Sequence, residues 1–260
     1  MPQLPRHLPP EIVDYIIDLL GDDLATLEQC CLVSKSFIPR TQRYLFEYIK
    51  IEFPSGFEAW KRTFPDLANS PAHHTRSLLL DCKEVFTTED TEAGGWIRSF
   101  TNVVRLEVWN IEKNFDLDPF RVLSSVKSLR LVLPEAFPPS RVVEFICSLP
   151  LLEDLDISQE EPEIDDIDEC RAIPRHLTLP PLTGTLVLQE DWPEHITHLL
   201  LAPSGVLHFR KIVSCVQLPG GLEGVMALVE GCSNTLENLD IEYLAYGKPR
   251  KPTPCCGCGI

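Results

Sequence analysis

Short strand-like triplets recur along most of the chain. Each begins with an apolar residue, in all but one the third residue is apolar too, and the first residues lie 23 to 31 residues apart. Alternation with period two is typical of half-buried strands, and intervals of this length are typical of repeats that stack one strand beside the next. The triplets are Ile49–Ile51, Leu78–Leu80, Leu106–Val108, Leu129–Leu131, Leu155–Ile157, Leu186–Leu188, Ile212–Ser214 and Leu239–Ile241.

Segments with helical periodicity lie between some of the triplets. Residues 57–67, 141–149 and 224–232 each bring apolar side chains to one face of a helix. Strands that alternate with helices at this interval predict an α/β fold over residues 47–245, with a parallel sheet lined by helices in a solenoid-like array. The apolar positions are Phe57, Trp60, Phe64 and Leu67, then Val142, Phe145, Ile146 and Leu149, then Val225, Leu228, Val229 and Cys232.

The first 46 residues show a different pattern, which predicts three short helices. Pro9 and Pro10 open the first helix, because a proline in the first turn loses only an N–H that has no intrahelical partner. We expect Gly21 to end this helix, Asp22 or Asp23 to cap the second and Ser34 to cap the third. The apolar positions are Ile12, Ile16, Leu19 and Leu20, then Leu24, Leu27, Cys30 and Cys31, then Phe37, Tyr44, Leu45 and Phe46.

Three helices of this length bury little apolar surface on their own, so such a piece is only marginally stable unless it docks on something else. Residues 4–46 are therefore expected to form a helical module that binds a partner. The same apolar side chains serve equally well to complete the module's own core, and the sequence leaves both roles open for each of them.

The module resembles the F-box motif. The resemblance rests on Leu8-Pro-Pro-Glu-Ile12, on Ile16-x-x-Leu19-Leu20, and on the segment from Leu24 to Phe37; Phe37 stands where many F-boxes carry tryptophan. The resemblance implies binding to a Skp1-type adaptor and, through it, to a cullin in a ubiquitin ligase. It also implies the adaptor-facing positions, which are Leu8, Pro9, Ile12, Ile16, Leu20, Leu32 and Val33.

The remaining chain resembles the degenerate leucine-rich repeats of F-box proteins that are abundant in mushroom-forming fungi. The segments that carry this resemblance are 149–157, 179–188, 207–212 and 232–241. The two resemblances together imply a substrate-recognition subunit of a Skp1–cullin–F-box ubiquitin ligase, which binds an unidentified client protein through its repeats. The first alternative is a non-degradative protein-binding scaffold with leucine-rich repeats. The second is a hydrolase or transferase.

Charge and hydropathy limit the kinds of partner and the cellular location that we expect for this protein. The net charge of −16 disfavours a nucleic-acid partner, which would require a clustered basic surface. We expect no membrane partner, because no apolar run is long enough to span a bilayer. The N-terminus lacks the pattern of a secretory signal. The expected location is therefore intracellular, in the cytoplasm, the nucleus or both.

No catalytic, cofactor-binding or metal-binding motif stands out, and we expect no enzymatic activity and no cofactor. His195-x-x-His198 is the nearest approach to a metal pair, but neither a cysteine nor a carboxylate stands beside it at zinc spacing, which favours an exposed helix face. Six cysteines, from Cys30 to Cys232, fall within apolar segments and are expected to behave as small core residues.

Two segments fall outside the repeat pattern. Residues 158–170 are strongly acidic and predict a loop, either simply solvated or able to steer a basic client. Residues 246–260 predict a disordered tail that contains Cys255, Cys256 and Cys258. Palmitoylation of one of these cysteines is the alternative that their spacing leaves open.

Overall fold

A computed structural model describes residues 9–53, 55–82, 95–113, 115–134, 137–159, 178–189, 197, 200–201, 207–216 and 221–243. The residues expected to form the tail, most of the acidic segment (160–170), and both His195 and His198 lie outside these ranges. No helix among the described residues is long and apolar enough to cross a membrane.

Eight parallel strands form one sheet in which each strand pairs with the next along the chain. This confirms the predicted α/β class and parallel sheet. The strands are β1 (Tyr48–Glu52), β2 (Ser77–Asp81), β3 (Arg105–Trp109), β4 (Ser128–Leu133), β5 (Asp154–Gln159), β6 (Thr185–Gln189), β7 (Lys211–Val216) and β8 (Asn238–Tyr243). Ser158 and Gln159, with which the acidic loop was expected to start, belong to β5.

The strands pair in a register that aligns the predicted triplets. Ile49 lies opposite Leu78, and the row continues through the first residue of every triplet to Leu239. The row is buried from Ile49 to Ile212, whereas Leu239 on the last described strand is 45% exposed. Ser214, the polar exception in the second row, is itself buried. Apolar alternation therefore predicted the strands, and the observed register aligns the first residues of the predicted triplets.

Helices accompany this sheet and precede it. The described α-helices are α1 (Pro10–Leu19), α2 (Leu24–Val33), α3 (Ile38–Leu45), α4 (Ser55–Thr63), α5 (Pro139–Cys147) and α6 (Gly221–Gly231). Three short 3-10 helices are η1 (Leu67–Asn69), η2 (Pro71–His74) and η3 (Asp118–Val122). One continuous cluster of buried side chains runs from Ile49 to Cys232. Val142, Phe145 and Ile146 of α5 belong to it, as predicted.

The three N-terminal helices lie outside that cluster. Their buried residues Ile17 and Leu27 are not part of it, and α1 and α2 each contact α3. An aromatic group joins this end of the chain to the sheet: the Phe46 ring packs edge-on against Trp60 and Phe64, with centroids 6.0 and 5.8 Å apart. The helices therefore rest on the start of the sheet and contribute little to its interior.

Several local predictions for the helices were wrong. Ser34 ends α2 instead of capping α3, which begins at Ile38 with Phe37 as its N-cap, and the Ser34 hydroxyl accepts a hydrogen bond from the Ser36 amide. Leu24, the first residue of α2, is exposed instead of buried. Leu67 is exposed because it lies in η1, whose tighter winding breaks the 3.6-residue period. Asp23, in contrast, does cap α2 by accepting from the Thr26 amide.

Candidate functional site: an exposed apolar surface on the first two helices

Exposed apolar side chains are concentrated in the first two helices. Of the thirteen large apolar residues that are exposed in the described part of the chain, seven lie between residues 12 and 33. Single exposed apolar residues are ordinary, but a concentration of them in one short region indicates an interaction surface. The seven are Ile12, Tyr15, Ile16, Leu19, Leu24, Leu32 and Val33.

Four of these residues form the α1 stripe, which comprises Ile12, Tyr15, Ile16 and Leu19. Their spacing of three and four residues places them along one side of α1. Leu19 is 69% exposed and Tyr15 is 62% exposed, so neither completes the core of the helical module. Within α1 that part is taken by Ile17, which is buried.

A contact between α1 and α3 holds the two helices together. Arg40 donates two hydrogen bonds to the Asp18 carboxylate, from Nε at 2.7 Å and from Nη2 at 2.5 Å, and Tyr44 Oη donates a third at 2.7 Å. At 100° per residue, Asp18 lies about 110° around the helix from the centre of the stripe. The contact therefore fixes how α1 lies beside α3, while the stripe itself stays exposed.

The end of α2 contributes the α2 end pair, Leu32 and Val33. These side chains are 80% and 75% exposed, although they close a helix whose Leu27 is fully buried. Ser34 follows in extended conformation and ends the helix there. Two adjacent aliphatic residues at this exposure lose contact with water only if a partner covers them.

The structure locates six of the seven residues that were predicted to face an adaptor. Ile12 and Ile16 belong to the α1 stripe, Leu32 and Val33 form the α2 end pair, and Pro9 is the exposed N-cap of α1. Leu20, the C-cap of α1, is partly buried, and Leu8 lies outside the described residues.

Three exposed residues of the same helices were not among those predictions: Tyr15, Leu19 and Leu24. Tyr15 and Leu19 share the helical spacing of Ile12 and Ile16, so that spacing was the signal that could have found them. For Leu24 the apolar pattern alone gave no such indication, because it has the same helical phase as the buried Leu27.

The face of the sheet opposite the buried leucine rows offers a second surface, which is at least partly exposed except at the buried Leu79. The middle residues of the strands form the sheet row: Lys50, Leu79, Glu107, Arg130, Asp156, Val187, Val213 and Asp240. Successive side chains of a strand point to opposite faces, so this row lies opposite the buried leucine rows.

Charged groups are paired at the centre of the sheet row. Arg130 Nε lies 3.3 Å from Asp156 Oδ2, and the Arg130 guanidinium lies 5.4 Å from the centre of the Trp109 ring. Burial raises the pKa of the Asp156 carboxyl, Arg130 opposes that shift and Glu107 adds to it. Val187 and Val213 follow on the next two strands, so the row passes from a charged part to an apolar part.

Four of the described cysteines have thiols whose pKa is raised. Cys82 and Cys232 are buried, as predicted, and Cys30, Cys31, Cys147 and Cys215 are partly buried. Burial, with a smaller contribution from Glu144, raises the pKa of the Cys147 thiol to about 11. Burial likewise raises the pKa of Cys82, of Cys215 and of Cys232. These four groups are therefore not set up as the thiolates that nucleophilic cysteines provide.

No metal site is present within the described ranges, where no three His, Cys, Asp or Glu side chains lie close enough together to hold an ion. His73 and His74, which precede β2, belong to η2, and their ring centres lie 3.9 Å apart. The His73 Nδ1 atom lies 2.8 Å from the Ser70 carbonyl oxygen, which fixes that ring against its own backbone.

The fold and the surface define the chain as a parallel α/β protein whose N-terminal helices display unpaired apolar side chains. The chain matches no protein-family model, no curated protein and no solved structure.

Proposed function

We propose that this protein is an F-box protein that acts as a substrate-recognition subunit of a Skp1–cullin–F-box ubiquitin ligase. The observation that carries the proposal is the exposure of Ile12, Ile16, Leu32 and Val33 at positions that the motif assigns to the adaptor. Full burial of an exposed apolar side chain of this size contributes roughly 1.5–3 kcal/mol, so covering these four residues would supply a substantial part of the free energy of adaptor binding.

In this proposal the sheet and its helices form a degenerate leucine-rich-repeat solenoid that holds the client. The strictly sequential order of the strands and their constant register support this part. The sheet row is the proposed client surface, because it combines the charged residues Glu107, Arg130 and Asp156 with the apolar residues Val187 and Val213. Chemistry would belong to the partners, and this chain would bring client and ligase together.

The test is co-purification of the full chain with a recombinant Skp1-type adaptor, followed by titration of the purified proteins. The double variant Ile16→Asp/Leu32→Asp places one carboxylate on each exposed helix surface. Because each substitution removes one apolar contact and buries a charge in its place, we expect affinity for the adaptor to fall at least about 100-fold.

The matched control is Leu151→Asp/Met226→Asp. Leu151 and Met226 are also exposed apolar residues, 49% and 54% respectively, but they lie outside the three N-terminal helices. This variant carries the same added charge and should bind the adaptor as the unchanged protein does. A chain that fails to bind the adaptor, or a helix variant that binds as tightly as the control, would contradict the proposal.

A further inference from the structure

A cavity of about 410 Å³ lies where the helical module meets the start of the sheet. Among the described residues it is lined by side chains from α3, from η2 and from the segments that precede β2 and β3. Its volume is in the range of small-ligand sites. It is separate from the α1 stripe and the α2 end pair, none of whose residues lines it.

The cavity is basic in a protein whose net charge is −16. Arg40, Arg43 and Arg76 all line it, and Glu47 is the one carboxylate among its described lining residues. The Glu47 carbonyl oxygen accepts hydrogen bonds from the Arg76 and Ser77 amides, which holds the segments before β1 and β2 together at the cavity.

The three arginines differ in whether a carboxylate already pairs with the guanidinium group. Arg40 is held by Asp18. Arg43 and Arg76 are exposed, and neither forms an ion pair or a side-chain hydrogen bond within the described part of the chain. The cavity therefore presents two guanidinium groups with unused donors, and a guanidinium matches the geometry of a phosphate through paired N–H donors.

Other polar groups complete the wall. Asn102 Nδ2 donates to the His73 carbonyl oxygen at 2.6 Å, which links the segment before β3 to η2. Burial lowers the pKa of His74, and the neighbouring His73 and Arg43 lower it further, consistent with an arginine close to that ring. An anion placed among these groups would offset the mutual repulsion of the cations.

We propose that this cavity binds a phosphate monoester, carried either on a phosphorylated side chain of a bound peptide or on a free small molecule. A phosphate monoester carries close to two negative charges at neutral pH, which matches the two unpaired guanidinium groups better than a single carboxylate does. The inference is independent of adaptor binding.

The test titrates the full-length protein with three probes in a calorimeter: inorganic phosphate, the peptide acetyl-Gly-Gly-phosphoserine-Gly-Gly-amide, and the same peptide with serine. We expect saturable binding of at least one phosphorylated probe with a Kd below about 1 mM, and none of the serine peptide. Tighter binding of the phosphopeptide than of phosphate identifies a phosphorylated side chain as the source. Equal binding identifies the free phosphate group as sufficient.

The variant Arg43→Gln/Arg76→Gln should weaken binding at least tenfold. Its matched control is Arg62→Gln/Arg210→Gln, because Arg210 holds the same position before β7 that Arg76 holds before β2, and Arg62 is likewise exposed on a helix. If the first variant does not fold, Arg43→Lys/Arg76→Lys replaces it and should still lose several-fold in affinity.

Three results would overturn the inference. The first is the absence of saturable binding by either phosphorylated probe. The second is equal binding of the serine peptide. The third is a control variant that loses as much affinity as the variant of the cavity.

Discussion

At the scale of single residues, Asp18 determines how the first helix is held. Its carboxylate accepts hydrogen bonds from Arg40 and Tyr44, and these bonds lower its pKa from 3.8 to about 2, with the Arg40 contribution the larger. The bonds cross from α1 to α3, so ionisation of the Asp18 carboxyl strengthens the contact between these two helices.

The Asp18 contact predicts a pH-dependent stability. Because the folded pKa lies below the unfolded value, the stabilisation is fully present above about pH 4 and is lost as the pH falls from about 4 towards 2. Asp18→Asn should therefore lower the thermal midpoint at pH 7, and its difference from the unchanged protein should shrink as the pH falls towards 2. Thermal unfolding followed by circular dichroism across this range measures both.

Asp22→Asn is the control for this experiment, since Asp22 is an exposed carboxylate between α1 and α2 that forms no ion pair within the described residues. It should leave the midpoint nearly unchanged. Equal effects of the two variants, or an Asp18→Asn effect that does not depend on pH, would refute the assigned role.

At the scale of elements, the junction between β5 and β6 depends on the absence of a side chain at Gly184. A Cβ atom there would overlap Asp154 Oδ1 and lie 3.0 Å from the Glu153 carbonyl oxygen. The same Asp154 oxygen accepts a hydrogen bond of 2.6 Å from the Thr185 amide, and the Gly184 carbonyl oxygen accepts from the Arg210 amide at 3.0 Å. Gly184 therefore lies at the hydrogen bonds that connect β5, β6 and the residue before β7.

Replacing Gly184 by alanine should destabilise the protein by about 1–3 kcal/mol, because the Asp154 carboxylate must move and weaken its bond to the Thr185 amide. Gly56→Ala in α4 is the matched control: its nearest neighbours would lie 3.7 Å from the new Cβ, and alanine favours a helix more than glycine does. Urea unfolding should show a lower free energy for the first variant and an unchanged or slightly higher one for the second. Equal stabilities would contradict the crowding at Gly184.

At the scale of the whole molecule, an interior strand of the sheet has a neighbour on each side, whereas β1 and β8 each have one neighbour among the described strands. Leu129 and Leu239 occupy the same row of the register, yet Leu129 on β4 is 1% exposed and Leu239 on β8 is 45% exposed. Position within the sheet, and not residue type, separates them.

The same substitution at these two positions should therefore have different costs. Leu129→Ala leaves a cavity in the continuous core and should lower the free energy of unfolding by about 2–5 kcal/mol, whereas Leu239→Ala should cost less than about 1 kcal/mol. Chemical denaturation of both variants measures the difference. Similar losses of unfolding free energy at the two positions would contradict the lower burial of the row at β8.

The sequence alone predicted the strands and the helices between some of them. A strand buries alternate residues whatever its neighbours are, so the triplets from Ile49 to Leu239 identified all eight strands, and aligning their first residues reproduces the register. The Asp23 cap and the proline start of α1 were predictable for the same reason, because both depend on groups within a few residues.

Only the tertiary structure decided which apolar residues face water and which distant residues meet. An apolar helix face has the same sequence pattern whether it fills the module's own core or stays free for a partner, so the sequence could not separate the buried Ile17 from the exposed Ile16. The basic cavity unites Arg43 with Arg76, and the crowding of Gly184 arises from Asp154. Burial and proximity between elements depend on packing, which local periodicity does not encode.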